Sequence, residues 1–106
     1  MAGITLGRAP EPLTVRLVAG DPFAVALDRA DAAGQPEDWT DPPALEFTLE
    51  GGATATWPAT VTGPVASWSV SETAVDAVIA AKPVRVDLTL SGVVWARAER
   101  GPTIYP

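Results

Sequence analysis

Apolar and polar residues alternate along most of this chain, and a period of two marks a strand with one buried face. Leu13, Val15 and Leu17 alternate with Thr14, Arg16 and Val18. Phe23, Val25 and Leu27 follow Gly20-Asp21-Pro22, which reads as a tight turn. Leu45, Phe47 and Leu49 stand against Glu46, Thr48 and Glu50, and Gly51-Gly52 then supplies a hairpin signal. Ala55, Trp57, Ala59 and Val61 alternate with Thr54, Thr56, Thr60 and Thr62. Pro58 within that run predicts an edge strand or a bulge, because proline cannot donate to a strand ladder. Gly63-Pro64 turns the chain into Ala66, Trp68 and Val70, with Ser67 and Ser69 on the other face. The pattern is cleanest in "VRVDLTL", where Val84, Val86, Leu88 and Leu90 oppose Arg85, Asp87 and Thr89. Ser91-Gly92 is a second hairpin signal or a bulge before "VVWARAE".

One segment keeps a different period. "SETAVDAVIAAK" is alanine-rich and places Val75, Val78 and Ile79 at spacings of three and four. Ser71 or Thr73 can cap its start, Lys82 suits the negative end of its dipole, and Pro83 stops it. A helix of two to three turns is therefore expected between two strands. The whole reads as an all-β fold: an antiparallel β-sandwich, or a partly open barrel, of about seven strands with one short crossover helix. The expected domain spans residues 13–101, with an extended N-terminal tail over 1–12 and a C-terminal tail over 102–106.

Composition removes whole classes of chemistry. The 106 residues include no cysteine and no histidine, so thiolate nucleophiles, thiolate metal sites and the usual general base are excluded. No serine lies in a Gly-x-Ser-x-Gly elbow. No catalytic residue, cofactor or metal is expected. The net charge of −6 and the scattered arginines argue against nucleic acid, whose binding needs a clustered positive surface. The first residues lack the apolar run of a secretory signal, and no window is long enough to cross a membrane as a helix. The expectation is a protein made in the cytoplasm, with neither nucleic acid nor membrane as partner.

Residues 28–41, "DRADAAGQPEDWTD", hold five acids, Asp28, Asp31, Glu37, Asp38 and Asp41. Their spacing fits no EF-hand, and a sugar-cleaving carboxylate pair would need aromatic platforms where only Trp39 is near. A solvated loop with Trp39 folded back as an anchor is the simpler reading.

Four tryptophans are present, and Trp57 and Trp68 fall on the apolar faces of their strands. For the last strand two registers are open. If Val94, Ala96 and Ala98 face inward, Trp95, Arg97 and Glu99 point out, which is the composition of an interface hot spot. In the other register Val93 and Trp95 face the core. The terminal segments also carry large apolar residues, Ile4 and Leu6, then Ile104 and Tyr105. Either they fray, or they add to a sheet edge or groove of a neighbouring subunit. The candidate assembly interface is thus Ile4, Leu6, Trp95, Arg97, Ile104 and Tyr105.

Three blocks in order carry a resemblance: "VAGDPFAVALDRADAAGQPEDWTD", "ALEFTLEGGATATWPATVTGPVASWSVS" and "ETAVDAVIAAKPVRVDLTLSGVVWARAERG". Over residues 13–101 the chain resembles the LtfC-like β-sandwich family of actinobacteriophage virion proteins. More distantly it resembles the N-terminal domain of BppU-type phage baseplate proteins. The resemblance implies a non-enzymatic structural protein of a tailed phage, in the tail or baseplate, as a head decoration or in the neck. Its partners would be other virion proteins and further copies of itself. The alternative reading is a carbohydrate-binding sandwich, which would need two exposed aromatics on one face.

Overall fold

The computed structural model describes residues 3–6, 11–31 and 33–106. Among them are ten strands and one helix. The strands are β1 (Gly3–Leu6), β2 (Glu11–Val18), β3 (Phe23–Asp28), β4 (Ala44–Leu49) and β5 (Thr54–Pro58), then β6 (Thr60–Thr62), β7 (Val65–Val70), β8 (Pro83–Leu90), β9 (Val93–Ala98) and β10 (Thr103–Tyr105). The helix α1 (Glu72–Ala80) joins β7 to β8. A seven-stranded sheet runs in the order β1-β2-β9-β8-β4-β5, with β10 also paired to β2. A three-stranded sheet, β3-β7-β6, packs against it. The fold is the all-β sandwich that the alternation predicts.

The count of ten against an expected seven has two causes. First, the run 54–62 is two strands: β5 pairs with β4 in the large sheet, whereas β6 pairs with β7 in the small one. The switch falls at Pro58-Ala59, where Ala59 donates its amide to the Pro43 carbonyl. Pro58 thus ends an edge strand, as its missing N–H requires. Second, the segments expected to be extended tails contain strands of the large sheet. β1 pairs antiparallel with β2, matching Ile4 to Val15, and β10 pairs parallel with β2, matching Ile104 to Leu17. A hydrogen bond of 3.0 Å from the Ala19 amide to the Tyr105 carbonyl continues this edge.

β9 also runs parallel to β2, through Glu11–Ala96 and Pro12–Arg97. β9 and β10 are therefore successive pieces of one line alongside β2, broken by the turn at residues 99–102. Gly101 makes that turn possible. Its φ is +79°, and a Cβ there would stand 2.9 Å from the Pro83 carbonyl oxygen. Only glycine meets both conditions without strain.

The core lies between the sheets. Val15, Leu17, Leu45, Phe47, Val86 and Leu88 fill it from the large sheet, and Phe23, Ala66 and Trp68 from the small one. Trp57 packs edge-on against Phe47 at 4.6 Å and tilts over Phe23 at 5.4 Å. Trp68 is buried and donates its ring N–H to the Trp57 carbonyl at 2.8 Å, so its polar atom is satisfied. The helix caps one end, burying Val75 and Val78. Of the two cap residues the sequence offers, Ser71 is used: its side chain accepts from the Ala74 amide. Lys82 lies past the last turn at φ 55°, a left-handed position that ends the helix, rather than within its dipole.

Candidate functional site

The acidic loop 28–41 leaves the small sheet at β3 and enters the large one at β4. It is tied to the β6–β7 turn by backbone. Arg29 N–H donates to the Pro64 carbonyl, and Trp39 N–H to that of Gly63. The Trp39 ring N–H also reaches the Pro64 carbonyl at 3.0 Å, and the side chain is buried, as an anchor should be. Three of the five carboxylates have separate duties. Asp31 accepts from the amides of Ala33 and Gln35, Glu37 pairs with Arg29 at 3.5 Å, and Asp41 accepts from Ser91 Oγ at 2.8 Å. Among the described residues no three carboxylates converge as a metal site would need. A cleft of about 330 Å³ opens beside the loop, lined by Asp28, Arg29, Ala30, Gly34, Pro36 and Pro64.

The register of β9 is neither of the two alternatives alone. Ala96 faces Leu88 and is buried, which fits the first. The pairing then slips, so that Val94 meets Thr89 and Trp95 is the extra residue of a bulge. Val93, Val94 and Trp95 are all exposed, at 62%, 43% and 38%. The Trp95 ring leans on Trp39 with centroids 5.5 Å apart. Arg29 lies over both rings, 5.0 Å from the Trp95 centroid and 5.2 Å from that of Trp39. This stacking holds the loop against β9 through cation–π attraction. Sequence inspection missed Arg29, since Trp95 is far along the chain and no local spacing joins Arg29 to Trp39.

Arg97 points outward, as the first register requires, but it is occupied. Its Nε donates to Asp87 Oδ1 at 2.7 Å, and Arg85 Nε lies 3.6 Å from the other carboxylate oxygen. Asp87 is buried beneath these two guanidinium groups. The hydrogen bond and charge of Asp87 raise the Arg97 pKa above its ordinary value. Removing the carboxylate leaves two neighbouring cations without their shared partner, whereas removing one arginine leaves a pair. Asp87→Ala is therefore expected to lower the urea midpoint more than either Arg85→Ala or Arg97→Ala, and chemical denaturation of the three variants checks that order.

Ile104 and Tyr105 are exposed on β10. The backbones of Ile4 and Leu6 lie in β1, and their side chains fall outside the described part of the structure. Among the described side chains, Trp95, Arg97, Ile104 and Tyr105 do not form one surface. Trp95 sits by the β8–β9 turn, near Ser91, whereas Ile104 and Tyr105 lie beside Leu17 and Val18 on the far side of Ala96–Ala98. The paired exposed aromatics that a sugar platform needs are not formed by Trp39 and Trp95, because Trp39 is buried.

The fold is a two-sheet, all-β sandwich with exposed apolar residues on separate strands. The chain belongs to the LtfC-like, beta-sandwich domain family, whose model matches residues 9–99. That membership suggests a phage-associated protein. Nothing in the comparisons supports the more distant likeness to baseplate proteins of the BppU type. No curated protein and no solved structure matches the chain.

Proposed function

We propose that this protein is a non-enzymatic structural component of a tailed-phage virion, acting by protein–protein assembly. Its family membership carries the reading. Two features support it. The exposed apolar residues Val93, Val94, Trp95, Ile104 and Tyr105 stand on strands rather than on a solvated loop, and strand faces of this kind suit protein contacts. The lack of histidine and cysteine leaves no ordinary nucleophile–base pair. The tail or baseplate is the first place to look, and the head surface or neck the second. The chain would be made in the host cytoplasm and carried in the particle, joined to other virion proteins and to copies of itself.

The test is quantitative mass spectrometry of density-banded particles from the phage whose genome carries the chain. A fixed copy number per particle, retained after washing in high salt, is the expected result. A chain found only in the lysate and absent from intact particles overturns the reading. Deleting residues 1–12 and 102–106 is a poor assay for assembly, because it removes β1 and β10 from the protein's own sheet.

A further inference from the structure

We infer that the strip Val93-Val94-Trp95, with the acidic loop beside it, is a docking site for a basic, extended segment of another protein. The inference rests on the assembly reading above and names the chemistry of one partner.

Three observations meet at this end of the molecule. The strip is apolar and exposed, and Trp95 is held in place by Trp39 and Arg29, so its ring is presented without further ordering. Two carboxylates are fastened next to it: Asp41 by Ser91, in the β8–β9 turn, and Glu37 by the arginine that stacks on Trp95. The loop's charge is one-sided, while on β8 and β9 Arg85 and Arg97 share Asp87. Residues 28–41 hold five carboxylates and one arginine, and that arginine is spent between two indoles and Glu37. Asp28 and Arg29 both line the cleft, and Arg29 connects it to Trp95.

Charge selects among occupants. Phosphate-bearing partners, whether nucleic acid or an anionic membrane, are repelled. A second copy docked strip to strip would bring two acidic loops together, and like charges facing across an interface weigh against that pairing. A partner strand alternating cations with apolar residues satisfies both halves of the surface. Its apolar side chains cover Val93, Val94 and Trp95, and its cations meet the carboxylates.

The experiment is an NMR titration of the ¹⁵N-labelled full chain with a peptide of alternating lysine and valine, about ten residues long to span one strand. A glutamate–valine peptide of the same length is the control. Expected are saturable shifts at Val93, Val94, the Trp95 indole and loop 28–41, with none from the control. The double variant V93T/V94T should weaken binding about ten-fold, and so should D28N/D41N; neither pair touches the core. Raising salt from about 0.05 to 0.5 M should weaken it as well. No saturable binding overturns the inference. So do shifts spread over Glu50, Glu72 and Asp76, or binding unchanged in V93T/V94T. A dimer seen by light scattering and broken by V93T/V94T would show that a second copy is the occupant, which also overturns it. Each of these outcomes leaves the particle-composition result untouched, so this inference and the virion reading fail separately.

Discussion

Trp68→Ala is expected to lower stability by about 3–5 kcal/mol, the usual range for truncating a buried tryptophan. Domains of this size have only about 5–15 kcal/mol in total, so the variant should melt about 15–25 °C below the parent by calorimetry. Two effects combine. The indole is 2% exposed between the sheets, and its loss leaves a cavity bounded by β strands that cannot close without breaking register. Its N–H also donates to the Trp57 carbonyl at 2.8 Å, and truncation removes that buried hydrogen bond. Trp68→Phe separates the two, since it keeps most of the apolar volume and removes only the donor. A loss of about 1–2 kcal/mol is expected there. Equal losses in both variants would mean that the hydrogen bond, rather than packing, dominates at this position.

Gly101→Ala is expected to cost about 2–3 kcal/mol, far more than a surface glycine normally would. The left-handed φ of +79° accounts for about 1 kcal/mol, as for any residue with a Cβ. The rest comes from contact with the backbone at Pro83 and Val84, which cannot swing aside as a side-chain tip can. Because this turn sets β10 in line with β9 along β2, the damage should begin at β10. Hydrogen exchange is the informative measurement: the Ala19 amide, which donates to the Tyr105 carbonyl, should lose protection before the core strands do. Gly92→Ala, at φ +79° with open space around it, is the control for φ alone and should cost about 1 kcal/mol.

The strands, the helix and most of the core were legible because they depend on local period. Alternation at 86–90 and the three-four spacing at 75–79 report the core face, whereas Val84 is exposed at the start of its strand and Asp87 is buried on the other face. The candidate site was legible only in part. Trp95 stood out as a large aromatic beside an arginine, yet its exposure depends on a bulge, and a one-residue slip reverses every side chain after it. Asp87 carried a faint signal, a charge at an outward position two residues from Arg85, but its closeness to Arg97 is a cross-strand relation. Arg29 carried none.

By itself, the sequence determined a histidine-free, cysteine-free, acidic all-β domain with a core of alternating apolar positions and a helix between two of its strands. Period, turn residues and composition are properties of neighbours along the chain, and they survive any arrangement of the pieces. Only the tertiary structure decided that residues 3–6 and 103–105 are strands on β2, that the chain changes sheets at Pro58, and that Arg29, Trp39 and Trp95 meet. Those depend on pairings between residues far apart in sequence. Backbone hydrogen bonding is the same for every strand, so the choice of partner rests on how both sheets and the helix bury their apolar faces at once.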